Sequence, residues 1–476
     1  MRTLSRRAIL KLGAVATASL LASCTTKEEP TATPEQPTAV STTVAELPTA
    51  TAPQAVEEKI ELRLGKFAGD QWRTDVVFSE KFTEENPNIT VKVEDVNYSE
   101  MQTKVLAFGA TGLVWDVYAG HSRWNAFLGL KGMSLVLDDY IAANDIEFDD
   151  FFPTVIDDVR SMGDDKIMWF PTCVHPAAIA MIGWNQDLLD KAGVTLPEGS
   201  STGDWTIEEY TEILMKVCKP HELFGLNLGL WAPHGIAWLS RCWGSDPETG
   251  SEDAWPLSRD GKTNQVSNDF PRVKAAFEWY TDLVRQGIAP TTAENSAVSG
   301  STLFQAGLQV SSPMGVSGPV NLNAQVGDKF KWVATQWPKG PYGHLGTCLS
   351  YNSLACYSES KYPAEAFKLA AYLTGPEPAL YAGTQTELHA YGRRSAWFSP
   401  ELWAVPGGET CLPIAAKMFD AGVDPFPMPW NRRFPELQDL YTNLGAAEYN
   451  EGKVSWDDMI EVAAPQFQAC LDQERP

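Results

Sequence analysis

Residues 114–124 read VWDVYAGHSRW, an apolar run that breaks at Gly120 and continues through His121, Ser122 and Arg123. A glycine two places before a serine at the end of a strand has the outline of a nucleophile elbow, G-x-S-x-G, in which the serine stands exposed on a sharp strand-to-helix turn. The same position at a sheet edge also suits a loop that touches a bound ligand and does no chemistry. The elbow needs small residues on both sides of its serine, and here Trp124 stands where the second glycine belongs. No His-Gly-Gly stretch precedes it, and nothing marks a later Asp and His pair. The hydrolase reading therefore fails, and His121, Ser122 and Arg123 become candidate ligand contacts. A solvent-facing Arg123 is the alternative.

The chain has seventeen tryptophans. A tryptophan face covers the flat C–H face of a sugar ring with little rotamer entropy lost, while carboxylates, amides and guanidinium groups satisfy the hydroxyls. Many of these rings must be core, and Trp205 at a helix start and Trp279 between Phe277 and Tyr280 are read so. In GKFAGDQWR, Asp70 and Trp72 follow the first strand and form a candidate pair; the alternative is a helix-capping Asp70 and a packed Trp72. Trp231, Trp238 and Trp243 fall in one stretch, and Trp231, directly after an apolar run, is the preferred stacking platform. The six histidines are scattered and no H-E-x-x-H, calcium loop, P-loop or strand-borne G-x-G-x-x-G occurs, so no metal, nucleotide or other cofactor is expected.

The elements that would position these residues alternate. IELRLGKFAG reads as a strand that breaks at Gly65 and Gly69, DVVFSEKFTEENPNI as a helix, ITVKVEDV as a second strand, MQTKVLAFGATG as a helix and VWDVYAG as a third strand. Such alternation means β-α-β units and a mainly parallel sheet, whose ligands sit beyond the carboxyl ends of the strands. That rule singles out the loops after Leu64 and after Tyr118. DDKIMWFPTCVHPAAIAMIGWNQDLLDKAG holds two further strands and a short helix closed by Gly193. Thr206 and Glu209 make a capping box before IEEYTEILMKVCK. FPRVKAAFEWYTDLVRQG and YPAEAFKLAAYLTG read as helices with C-terminal glycines.

The N-terminus sets the compartment. A basic stretch with Arg6-Arg7 precedes an uncharged run from Leu12 to Ser23, too short to span a bilayer, which reads as a signal peptide over residues 1–23. SRRAILK resembles the twin-arginine export signal, and Leu21-Ala22-Ser23-Cys24 resembles a bacterial lipobox, which implies lipidation of Cys24 and an extracytoplasmic, membrane-anchored protein. Residues 24–59 are rich in Thr, Pro and Ala and hold no aromatic, so they read as a disordered tether. The net charge is −24, and removing the leader's four cations takes it to −28 for residues 24–476, which argues against nucleic acid or anionic lipid as a partner. Seven cysteines follow Cys24 without any C-x-x-C; buried thiols and one or two disulfides both remain open.

Seven strings then stand in a family's order: MSLVLDDYI, GWNQDLLDKAGVTLP, WTIEEYTEILMKV, FEWYTDLVRQGIAP, LFQAGLQVSSPMGVSG, VATQWPKGP and SKYPAEAFKLAAYLTGPE. In that order they resemble the family 1 extracellular solute-binding proteins of ABC importers, over essentially all of residues 60–476. The resemblance implies an α/β, two-lobed periplasmic-binding-protein type II-like fold, similar to the maltose-binding type, with three hinge crossings. These fall near Pro171-Thr172, Gly346-Leu349 and His389-Arg393, so that residues 60–172 plus 349–390 form one lobe and 173–348 plus 391–476 the other. It implies polar ligand contacts from the His121 loop and a stacking aromatic late in the chain. Trp430, in the proline-broken PFPMPWNRRFPEL with Arg433, is taken for that role, and His175 and Ser317 lie at the expected cleft edges. It further implies a monomer that catalyses nothing, binds a mono- or oligosaccharide and hands it to permease subunits, touching the membrane only through its lipid. A secreted glycoside-acting enzyme and a binder of a non-sugar solute are the alternatives.

Overall fold

The computed structural model describes residues 58–146, 148–175, 181–228, 240–244, 256–258, 261–297, 302–315, 322–323, 326–343, 350–385, 392–405 and 433–473. Cys24, Trp231, Ser317 and Trp430 lie outside the described residues, as do the leader and nearly all of the tether. Of His175 the backbone alone is described.

Among the described residues eight strands form two sheets. The larger has the order β2-β1-β3-β8-β4, built from β1 (Ile60–Phe67), β2 (Ile89–Val96), β3 (Val117–His121), β4 (Phe170–His175) and β8 (Ser350–Cys356). β1 pairs in parallel with β2 and β3, and β8 runs antiparallel between β3 and β4. Helices α1 (Arg73–Glu85) and α2 (Tyr98–Gly109) make the parallel crossovers, and α3 (Ser122–Leu130) follows β3 without a loop. The smaller sheet is antiparallel, with β5 (Met181–Asn185) between β6 (Ser311–Met314) and β7 (Trp332–Gln336). This is an α/β protein with two sheets.

Burial follows strand position. β3, in mid-sheet, is buried at every residue, whereas β2 at the edge keeps only Ile89 and Val96 fully buried. β1 does not break at Gly65 as the sequence suggests but runs through to Phe67. The reason is contact: a Cβ at Gly65 would stand 2.5 Å from the Trp115 indole, so the glycine makes room for a core ring rather than a turn. The third strand likewise ends at His121, not Tyr118, and both strand ends lie three residues later than read from sequence.

Each sheet carries its own core. Around the larger pack Phe78, Phe82, Trp115, Tyr118, Trp169 and Phe367, and this core also takes in Met181 and Met314 from the smaller sheet. Around the smaller pack Trp184, Trp205, Tyr210, Phe277, Trp337 and Trp456. Trp205 and Trp279 pack in this second core, as their helical context suggests. The capping box at Thr206 is formed: Thr206 Oγ1 accepts from Glu209 N, and Glu209 Oε2 accepts from Thr206 N at 2.8 Å. Gly193 closes its helix in the left-handed region, at φ 67°.

The chain leaves the larger sheet for the smaller between His175 and Met181, and returns between Gln336 and Ser350. Residues expected with the second lobe from position 391 pack otherwise. Trp397 and Leu402 belong to the first core, and Asp150 accepts from Arg394 N, Ser395 N and the Ser395 hydroxyl. Leu437 and the helix Trp456–Leu471 belong to the second core, so the last change of core falls after Trp403 and not near His389–Arg393. Among the described residues Cys218, Cys242, Cys356 and Cys470 are free thiols. No described helix is long and apolar enough to cross a membrane.

Candidate functional site

The parallel strands β2, β1 and β3 end side by side, and each delivers an aromatic or imidazole ring at its carboxyl end. Phe67 is the last residue of β1, Tyr98 opens α2 two residues beyond β2, and His121 ends β3. Trp124, one turn into α3, joins them: its ring lies 5.0 Å from Tyr98, 5.4 Å from His121 and 6.5 Å from Phe67. Trp72 meets Phe67 edge-on at 5.3 Å. Five rings thus gather where an open α/β sheet places its ligands.

Arg123 is buried among them, not solvent-facing. Its guanidinium donates to the Tyr98 hydroxyl and lies 5.5 Å from the Tyr98 ring and 5.8 Å from that of Trp124. Burial raises the Tyr98 phenol above its ordinary pKa, against the pull of this cation, so Tyr98 stays a neutral hydroxyl.

The His121 side chain has a local task. Its extended backbone starts α3, and Nδ1 accepts from Arg123 N at 3.0 Å, capping the helix as an Asn or Ser would. Ser122 Oγ lies 3.4 Å from the same nitrogen. An Nδ1 already accepting a backbone proton is poorly placed to take one from Ser122, and Ser122 is itself buried. The stretch with the outline of a nucleophile elbow is a helix cap. Gly120 is required by packing, since a Cβ there would stand 2.3 Å from Asn125 Oδ1 and 2.6 Å from Ser353 Oγ. Those two side chains hydrogen-bond at 2.8 Å and hold the start of α3 against β8.

β8 brings one more residue. Asn352 faces His121 in the antiparallel register, so the two side chains share one face of the sheet. Its Oδ1 is buried and has no hydrogen-bond partner among the described residues, and the same holds for Trp124 Nε1.

The remaining candidates are placed differently. Asp70 is exposed at the start of a short turn, Asp70–Trp72, and caps nothing: α1 has no side-chain cap at its N-terminus. Trp72 is a packed ring, as its alternative reading had it. Arg433 pairs with Glu436 and lines a cavity of about 550 Å³ with Leu440, Asn443, Gln466 and Cys470. The helix that begins beside it, Phe434–Tyr441, does lie against α3. Sequence reasoning missed Tyr98 and Asn352. The strand-end rule, extended to the loop after Val96, would have found Tyr98; Asn352 has no local signal. No group of His, Cys, Asp and Glu among the described residues could hold a metal ion.

In fold the chain is similar to an ABC substrate-binding protein from Listeria monocytogenes in complex with cycloalternan, at 18% identity and a TM-score of 0.71, over 88% of this chain and 100% of that one. It is similar to the GacH receptor of Streptomyces glaucescens, solved unliganded and with acarbose, at 19% identity and a TM-score of 0.69, over 88% and 100%. It is also similar to the sugar-binding protein MalE of Xanthomonas citri, at 19% identity and a TM-score of 0.65, over 86% and 97%. Residues 78–389 match the model of the bacterial extracellular solute-binding proteins. This chain belongs to the bacterial extracellular solute-binding protein family, whose members bind a solute for transport and are not enzymes.

Proposed function

We propose that the protein is a lipid-anchored receptor that captures a mono- or oligosaccharide between two lobes and delivers it to the permease subunits of an ABC importer. It is exported through the twin-arginine route, is held outside the membrane by lipidated Cys24, and acts as a monomer. The observation that carries the sugar reading is the ring cluster at the carboxyl ends of all three parallel strands, with Arg123 inside it. Flat aromatic faces with nearby N–H and O–H groups suit a ligand that is apolar across its ring and hydroxylated at its rim. The fold neighbours solved with cycloalternan, acarbose and maltose support the same class.

In this reading three crossings join the lobes and the ligand favours the closed state by contacts made only there. The Tyr98–Arg123–Trp124 group forms one wall. Trp231 and Trp430 supply stacking faces opposite, with Ser317 and His175 as polar contacts and Asp70 at the rim.

The test is a thermal-shift and tryptophan-fluorescence screen of the mature protein against mono- and oligosaccharides and polyols. A ligand at a hundred times its dissociation constant should stabilise the fold by about 2.7 kcal/mol. No shift with any of them, or release of reducing ends from a glycan, would sink the proposal. Trp231→Ala and Trp430→Ala should weaken binding and leave the fold intact. Cys24→Ala should release the protein from membranes.

A further inference from the structure

Two buried polar groups beside His121 have no hydrogen-bond partner among the described residues: the Trp124 indole N–H and the Asn352 side-chain oxygen. The residues are only 7% and 6% exposed. They come from distant parts of the chain, yet one ring lies 5.4 Å from the His121 imidazole and the other residue faces it across the β3–β8 ladder. Protein interiors leave few such groups unpaired, because a buried donor or acceptor without a partner forfeits the hydrogen bonds it made to water. The surroundings are able to satisfy an amide, since Asn125 and Ser353 bond each other in both directions one residue away on β8.

We propose that Trp124 Nε1–H and the Asn352 amide are a ligand-reading pair, a donor and an acceptor on either side of His121 that hydrogen-bond a polyhydroxylated ligand. The inference rests on the sugar-binding reading and deepens it. A sugar hydroxyl both donates and accepts, so its oxygen takes the indole proton while a hydroxyl proton goes to the amide oxygen. Neither group has a partner among the described residues, which leaves both free to bond a ligand. A site of this kind rejects an analogue that lacks the matching hydroxyl, because the buried group is then left unpaired.

The experiment uses the mature protein and the variants Trp124→Phe and Asn352→Leu, each of which removes the polar atom and keeps most of the volume. Ligand-free melting temperatures are measured first. Calorimetric titrations follow with maltose, maltotriose, mannobiose and mannotriose, using whichever of these binds the wild type. Each variant should melt at or above the wild-type temperature without ligand and bind the glycan at least about tenfold more weakly. A fall of several degrees in the ligand-free melt overturns the proposal, since the group was then satisfied already. Wild-type affinity in both variants overturns it as well. If no glycan binds the wild type, the sugar reading is what fails. The ligand-free melts then decide the pair alone, a retained or raised value supporting it and a fall overturning it.

Discussion

The protein has two dense clusters of aromatic residues, and they differ in what their polar tips do. Around the smaller sheet, Trp184 donates to Thr335 Oγ1 at 2.8 Å, Trp205 to Gln336 O at 3.0 Å, Trp279 to Thr211 Oγ1 at 3.0 Å and Trp337 to Cys242 Sγ at 3.1 Å. Tyr210 meets Ser311 Oγ at 2.7 Å. At the carboxyl ends of β1, β2 and β3 the cluster instead encloses a guanidinium and leaves the Trp124 N–H without a partner. Equal burial thus hides two states. The five tips named around the smaller sheet close within the fold, whereas the Trp124 N–H at the strand ends finds no partner among the described residues, and in the proposal above that open tip is what a ligand meets.

The comparison can be broken by mutation. The largest effect expected is from Trp184→Ala, which empties a fully buried site in the closed cluster and should cost about 3–5 kcal/mol in urea unfolding. A loss below about 1 kcal/mol would show that this cluster is not the rigid core described.

Next comes a contrast within one strand, because Tyr351 and Asn352 are neighbours on opposite faces of β8. Tyr351 donates to Asp158 Oδ2 at 2.7 Å, and burial pushes the Asp158 carboxyl up to about 7 although this bond pulls it down. With the folded pKa above the ordinary value of about 4, the site's contribution to stability is full below about pH 4 and is lost as pH rises through 7. Asp158→Asn should therefore flatten the fall in melting temperature between pH 5 and pH 8, a difference on the order of a few kcal/mol. Parallel curves for variant and wild type would remove Asp158 from this role.

The sharpest pairing is smaller. Trp184→Phe strands Thr335 without its donor and should cost about 1–2 kcal/mol, whereas Trp124→Phe should cost under about 0.5 kcal/mol in the free protein. Equal costs would erase the distinction between the clusters. Of similar size to the Trp184→Phe cost is Thr206→Ala, which opens the capping box beside the second core and should cost about 1 kcal/mol with ligand affinity unchanged.

Local chemistry was legible in the sequence where a few adjacent residues decide the outcome. Thr206 with Glu209, Gly193 at a helix end, and the alternation in β1 and β2 all carry their signals within one turn or strand. The placing of His121, Ser122 and Arg123 at the end of the third strand was legible because the strand-end rule needs only that strand. The exact strand ends were not, since Gly65 looks like a break until the Trp115 ring is seen against it. Nor was the placement of residues 393–403, which depends on Asp150 accepting from Arg394 and Ser395 far along the chain. Asn352 was out of reach for the same reason: its partner strand is set by pairing with residues more than two hundred positions earlier.

That pairing also governs when the protein can fold. β8 sits between β3 and β4, and the bond from Asn125 to Ser353 spans 228 positions. Until residue 356 has left the ribosome, β3 and β4 cannot be joined, and β3 presents an open edge to any other strand nearby. Contacts of such long range make folding slow, and most of it must follow synthesis of three quarters of the chain. The last strand to enter the sheet carries Asn352, so in the ligand-reading role proposed for it, ligand binding in a pulse-labelled sample reports that the sheet has closed.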